Sequence, residues 1–310
     1  MEVSFASMRL VRFNRNVEAL SLARPGVVLR NDRVADLRAG YASYLSAGGD
    51  AQAIDIAAAR IPGTLAALIG VNALASAEFR DVVAWLDELS TSDVGAEGLR
   101  GEPLFTPLQE TRLHAPVRLT NLFIAQRNYA STSPTFTMKP STAVVGPARD
   151  IRLPAGFSEA SCSPGIALVV GQNCRDVSVA NASDVIAGYF VMTNVSLPSE
   201  ASSQAFENGM YETFAPSGPW LTTRDEVPDA ASLTIEMRVN GVSRRRFSTE
   251  GMTWPIPRLV ATLSRMTLQA GDVIWCGAPD ADRDEALVRL DDEVQSLVQG
   301  VGMIRNRVVR

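Results

Sequence analysis

Ile166-Ala-Leu-Val-Val170 is an unbroken apolar run closed by Gly171, and it limits the possible folds more sharply than any other stretch. A strand that alternates polar and apolar residues can leave one face in water. A run that is apolar at every position needs cover on both faces. The chain is therefore expected to place a layer of structure on each side of this strand. The residues leading into it, Ser163-Pro164-Gly165, are small and uncharged.

The surrounding pattern predicts an α+β fold in two parts. Met8-Arg-Leu-Val-Arg-Phe13 alternates apolar and basic residues. Gly26-Val-Val-Leu29, followed by Asn31-Asp32, predicts a hairpin into Val34-Ala-Asp-Leu37. Ala-rich segments at 51–60, 63–77 and 79–89 predict helices broken at Pro62-Gly63, and 90–107 reads as loop. These elements form a small α/β N-terminal domain over 1–115. Strands dominate the larger β-rich domain over 116–310. Leu122-Phe-Ile-Ala125 is short and apolar, and Leu233-Thr-Ile-Glu-Met-Arg-Val239 alternates cleanly into Asn240-Gly241. That dipeptide is a strong two-residue hairpin signal, and the chain returns through 242–247. Arg244-Arg245-Arg246 on the return strand reads as the solvated side of the hairpin. Helical apolar spacing at Ile256, Leu259, Val260 and Leu263 predicts a helix within 254–266, with further strands at 272–276 and 294–309.

Composition excludes several classes of function. A net charge of -5 and a pI near 5.1 argue against nucleic-acid binding, which needs a basic face. No run is long and uncharged enough to span a bilayer, and the start, Met1-Glu2-Val3-Ser4-Phe5, lacks a basic-then-apolar signal pattern. Three cysteines without metal-ligand spacing predict a reduced, cytoplasmic protein. The single histidine, His114, excludes any mechanism that needs two, and it reads as structural.

An ordered series of motifs resembles the fumarylacetoacetate hydrolase family. It runs through Arg127-Asn128-Tyr129, Met138-Lys-Pro140, Val145-Gly-Pro147, Leu168-Val-Val-Gly171 and Gly188-Tyr189. It continues with Asn194-Val-Ser196, Thr213-Phe-Ala-Pro-Ser-Gly-Pro-Trp220, Val239-Asn-Gly241 and Leu268-Gln-Ala-Gly-Asp272. The resemblance implies a mixed β-sandwich roll in the larger domain and assembly as a homodimer. It also implies chemistry on 1,3-dicarbonyl or acylpyruvate-like compounds, with a divalent cation held on carboxylates. Such a cation polarises a carbonyl and stabilises the enolate that develops from it.

Matched residue by residue, the charged positions of the family are missing. Its two metal-binding glutamates fall on Ser163 and Gly165, and its aspartate falls on Asn194. A His-x-x-Glu dyad falls on Thr132 and Thr135, and a lysine falls on Gly209. Ser, Gly and Asn supply no anionic ligand, so the expected metal set is none, with no cofactor. Because the replacements are small and neutral, the former metal pocket is expected to be roomier and less polar. It would then take a bulky, largely apolar small molecule.

The catalytic candidates are Glu212, Tyr129, Asn194 and Thr132. Glu212 is read either as an acid or base raised in pKa beside apolar rings or as an exposed structural carboxylate. Arg127, Met138, Lys139, Ser163, Met210, Tyr211, Phe214, Trp220 and Cys276 are assigned to substrate binding, although for the Met and aromatic side chains taken singly packing is the favoured role. Lys139 reads chiefly as scaffold and Cys276 as a buried thiol. Two functions follow from these residues. One is a metal-independent cyclase, isomerase or lyase acting on an enolisable natural-product intermediate. The other is an inactive family member kept as a binding or oligomerisation partner, and behind both stands residual acylpyruvate-type C–C hydrolysis with a metal bound elsewhere.

Overall fold

The computed structural model describes residues 8–310 except 17, 20–22, 72, 73, 75, 119, 131, 132, 199–208 and 228. Thr132 therefore lies outside the described residues. The first strands are β1 (Arg9–Arg15), β2 (Arg24–Val28) and β3 (Arg33–Asp36), followed by helices α1 (Leu37–Ala47), α2 (Ala53–Arg60), α3 (Leu65–Gly70) and α4 (Ala77–Ser92). Short strands β4 (Phe105–Pro107), β5 (Thr111–Leu113), β6 (Leu122–Gln126), β7 (Thr135–Lys139), β8 (Val144–Val145) and β9 (Ile151–Arg152) lead to the long strands. These are β10 (Glu159–Val170), β11 (Ile186–Ser196) and β12 (Ala215–Thr223). The chain ends with the hairpin β13 (Thr234–Val239) and β14 (Val242–Ser248), helix α5 (Ile256–Leu263), β15 (Val273–Trp275), α6 (Arg283–Ala286), β16 (Leu287–Arg289), β17 (Glu293–Val298) and β18 (Gly302–Val309).

The result is an α+β fold built on two sheets. Among the described residues one sheet has 13 strands, with the path β4-β3-β2-β1-β12-β11-β10-β15-β6-β7, and the other has the order β14-β13-β17-β18-β9. Most pairs are antiparallel, but β15 runs parallel to β6. The expected N-terminal and C-terminal parts share the large sheet through the pairing of β1 with β12.

β10 sits at the centre and is covered on both faces, as its apolar run requires. Ala167 and Val169 pack into a core with Leu65, Leu68, Phe79 and Leu86 of the helices. Ile166, Leu168 and Val170 pack on the opposite face with Leu259 and Val260 of α5. Helix α5 keeps the predicted apolar stripe, with Ile256, Leu259, Val260 and Leu263 all buried. Among the described residues no helix is long and apolar enough to cross a membrane.

Several local expectations are corrected. A helix begins at Leu37, where the sequence reads as the end of a hairpin. Asp36 is its N-cap, and its carboxylate accepts hydrogen bonds from the N–H groups of Arg38 and Ala39, both at 3.2 Å. The helix expected over 63–77 is only Leu65–Gly70. The one expected over 79–89 starts earlier, because the Ser76 hydroxyl caps it at Phe79 N, and it continues to Ser92. Ser163-Pro164-Gly165 is not a lead-in but part of β10.

Candidate functional site

Among the described residues the middle of β10 has a strand partner on one side only. β11 pairs along its length, with Ser163 opposite Asn194 and Gly165 opposite Met192. On the other side β16 pairs with 159–161 and β15 with 167–169. The ladder is interrupted between them. Pro164, with no N–H to donate, lies in the gap, where it leaves no orphan donor.

Arg245 fills this gap. Its side chain comes from β14 in the second sheet and is only 6% exposed, so the expectation of a solvated Arg244-Arg245-Arg246 run is wrong at its central residue. Nη1 donates to Ser163 Oγ at 3.1 Å and lies 3.5 Å from the Cys162 carbonyl, while Nη2 donates to the carbonyl of Pro279. The guanidinium carbon lies 5.6 Å from the centre of the Phe247 ring. Burial lowers the pKa of this guanidinium, and the carboxylates of Glu285 and Asp280 oppose that shift. Arginine stays protonated in such a setting, so a fixed positive charge stands beside Ser163.

The glycine at 165 is required by a second side chain. A Cβ added there would lie 2.4 Å from Trp275 Nε1 and 2.8 Å from its Cε2. Trp275 belongs to β15, is 3% exposed, and covers the position from which a side chain at 165 would project. The expectation of a roomier, less polar pocket is thus corrected. An indole and a guanidinium stand at the two positions on β10 where the resemblance places carboxylates.

Three buried polar atoms around these groups have no hydrogen-bond partner among the described residues: Tyr129 Oη, Asn194 Oδ1 and Trp275 Nε1. Such atoms are uncommon in a folded chain, and each costs free energy until it is satisfied. The Tyr129 ring packs edge-on against Phe247 at 5.5 Å, so it belongs to the same layer as Arg245. Burial, followed by the neighbouring Cys276, pushes the phenol pKa up, which keeps Tyr129 an O–H donor. Asn128 fixes the turn that carries Tyr129. Its buried amide donates to the carbonyls of Cys276 at 2.9 Å and Trp254 at 3.0 Å, and it accepts from Trp254 N at 2.9 Å.

Lys139 supports the site from below. Its Nζ donates to the carbonyls of Val195 at 2.6 Å and Phe214 at 2.8 Å, which ties β7 to the residue after Asn194. Burial lowers its pKa to about 7, against the opposing influence of Cys162. In the unfolded chain a lysine titrates near 10.5, so above pH 7 the unfolded chain binds a proton that the folded one has released. Stability contributed by this group therefore rises as pH rises from about 7 towards 10.5, at up to about 1.4 kcal/mol per pH unit. Urea unfolding at pH 7 and pH 9 is expected to show this gain in the wild type but not in Lys139→Met. Parallel curves for the two proteins would mean that the ammonium keeps its charge through this range.

The other candidates do not converge on Ser163. Glu212 is exposed in the turn before β12, which is the surface alternative of its two readings. Tyr211 packs on the fully buried Phe214 at 5.4 Å, with the half-buried Met210 preceding them. Met138 is 45% exposed, and Arg127 is exposed in a turn with φ +59°. Trp220 lies elsewhere on β12, where it donates to the Val301 carbonyl at 2.7 Å beneath Arg9. Cys276 is buried with its thiol pushed up to about 12 by that burial.

Sequence reasoning missed Arg245 and Trp275. Pro164 inside an otherwise strand-like run was the available signal for an unpaired edge, and Gly165 was the signal for close approach by a neighbour. The donor set does not suit a divalent cation. A hydroxyl, an amide and a glycine offer no anionic oxygen, and Arg245 places a positive charge on that hydroxyl. Among the described residues no three His, Cys, Asp or Glu side chains are grouped to hold a metal ion.

Residues 115–309 match the family described as Fumarylacetoacetate (FAA) hydrolase C-terminal. Protein Rv2993c of Mycobacterium tuberculosis is 34% identical over 232 residues, covering 69% of this chain and 86% of that protein. The crystal structure of maleylpyruvate hydrolase from Sphingobium sp. SYK-6 in complex with manganese(II) and pyruvate superposes with a TM-score of 0.72. It is 27% identical and covers 97% of this chain and 99% of its own. The structure of 5-carboxymethyl-2-hydroxymuconate delta-isomerase from Mycobacterium smegmatis is 34% identical, with a TM-score of 0.60 over 68% of this chain and 86% of its own. These neighbours include both a hydrolase and an isomerase.

Proposed function

The chain belongs to the fumarylacetoacetate hydrolase family, and from that premise we propose that it is a metal-independent isomerase, lyase or cyclase acting on an enolisable β-dicarbonyl compound. The observation that carries this reading is the buried guanidinium of Arg245 on Ser163, at the position where the resemblance places a metal-binding carboxylate. A carbonyl drawn into this layer meets a permanent positive charge. That charge stabilises the oxyanion that forms when a hydroxide ion from solvent takes the α-proton and departs as water. The indole N–H of Trp275 and the phenol of Tyr129 supply further donors, and the Asn194 side chain orients the ligand. Enolate stabilisation is common to isomerisation, decarboxylation and ring closure, so the site supports the class without selecting its member. The proposed substrate is a small enolisable β-dicarbonyl intermediate, and the proposed assembly is a homodimer.

The packing of Trp275 on Gly165 favours a second reading, an inactive family member acting as a partner protein. One experiment separates the two. Protein treated with a chelator is incubated in D2O with a panel of acylpyruvates and cyclic β-dicarbonyls, and exchange of the α-proton is followed by NMR. Exchange above the buffer rate that survives the chelator supports the enzyme. Exchange that appears only after Mn2+ is added would overturn metal independence, and its absence across the panel would favour the partner reading.

A further inference from the structure

Away from the residues around Ser163, four arginines meet at one cavity of about 750 Å3. Arg12 comes from β1, Arg112 from β5, Arg118 from the segment entering β6, and Arg149 from the loop before β9. Among the described residues no Asp or Glu lines this cavity, although the chain as a whole carries a net charge of -5. None of the four takes part in the ion pairs found among the described residues, which are made by other arginines such as Arg15, Arg24, Arg30 and Arg60.

Backbone contacts hold both walls in place. A Cβ at Gly146 would lie 3.0 Å from the Leu113 carbonyl oxygen and 3.1 Å from His114 Cα, so only glycine lets these segments abut. Asn306 Nδ2 donates to the Arg149 carbonyl at 2.7 Å, and Arg305 N donates to the Pro147 carbonyl at 3.0 Å, which pins the Arg149 loop to β18. On the opposite wall Arg12 Nη1 donates to the Ala115 carbonyl at 3.0 Å. His114 Nε2 donates to Asn14 Oδ1 at 2.6 Å, because the Asn14 amide nitrogen is committed to the carbonyls of Arg15 and Glu18.

The effect of this assembly shows in its titratable groups. Burial, and then the charges of Arg12, Arg112 and Arg149, hold the His114 imidazole down to about 4. Burial, and then Arg118, lower the Arg12 guanidinium. Uncompensated like charges oppose folding, and an anion that bridges them removes the repulsion. Guanidinium groups bind phosphate and carboxylate oxygens in pairs, with a directionality that ammonium groups lack. Leu113, Val117, Val144 and Val145 give the cavity an apolar side, so a ligand can seat a carbon body as well as its charges. The volume lies within the range of ordinary small-molecule sites.

We propose that this cavity is a binding site for a small organic polyanion, carrying two or more phosphate or carboxylate groups, distinct from the site around Ser163.

Isothermal titration at low, constant ionic strength tests this with two probes, inorganic pyrophosphate and citrate. Each is compared with sodium chloride, on the wild type, Arg112→Gln, Arg149→Gln and the double variant. Saturable binding of at least one probe is expected, weakened about tenfold by each substitution. Stronger binding of pyrophosphate identifies a phosphorylated ligand, and stronger binding of citrate a polycarboxylate; either supports the site. In anion-free buffer the double variant is expected to melt at a higher temperature than the wild type, because repulsion has been removed. The proposal fails if neither probe binds above the chloride control, or if the double variant binds as tightly as the wild type.

Discussion

Arg245→Gln is expected to reduce α-proton exchange of an accepted β-dicarbonyl by about 10²–10³-fold, the usual cost of removing a preorganised oxyanion donor. Glutamine ends two bonds short of the guanidinium nitrogens, so the charge and its two donors are lost together, and chemical denaturation checks that the variant folds. Arg245→Lys is not expected to restore the rate. An ammonium cannot span Ser163 Oγ and the Pro279 carbonyl with separate nitrogens, as Nη1 and Nη2 do here. Arg246→Gln is the control, because Arg246 is exposed on the same strand and its loss should leave exchange unchanged. A folded Arg245→Gln protein with the wild-type exchange rate would remove the guanidinium from the chemistry.

Restoring a carboxylate on β10 should fail for a steric reason. Gly165→Glu is expected to destabilise the protein by about 3 kcal/mol or more, since its Cβ would meet Trp275 Nε1 at 2.4 Å. The indole cannot easily give way, being 3% exposed and set in the core beside Ala167 and Met192. Combining Gly165→Glu with Trp275→Ala should recover part of the loss, since the smaller side chain makes room for the larger. Chemical denaturation of the wild type, both single variants and the double variant gives the coupling between the two sites. Wild-type stability for Gly165→Glu, together with tight stoichiometric Mn2+ binding, would show that the indole moves and that the site accepts a metal after all.

Much of the frame was legible because it rests on local periodicity. The apolar run at 166–170 marked a doubly covered strand, and Leu233 to Val239 with Asn240-Gly241 marked the β13–β14 hairpin. The spacing from Ile256 to Leu263 marked α5. Helix α1 was hidden because its start depends on Asp36, a residue that also suits the end of a hairpin. Motif matching sets Ser163, Gly165 and Asn194 where the resemblance places carboxylates, but it could not reveal which side chains surround them. Met138 and Trp220 both belong to the motif series, yet Met138 is exposed on β7 at one end of the large sheet and Trp220 lies beneath Arg9 on β12. Order along a sequence does not fix which faces meet.

Arg245 shows where that limit falls. The Asn240-Gly241 turn by itself sets Val239 opposite Val242 and Arg238 opposite Ser243, and a regular ladder would continue with Met237 opposite Arg244. A bulge at this point instead places Arg245 opposite Met237, on the face that looks into the core. One extra residue reverses which side of a strand is buried, because side chains alternate with a period of two. The apolar and turn patterns determined that a central covered strand and a hairpin would exist, since both follow from the spacing of near neighbours. Which arginine of the run is buried, and that it enters the interrupted edge of β10 to meet Ser163, was decided only by the tertiary structure. It depends on the bulge and on the packing of the second sheet against residues some 80 positions away in the chain.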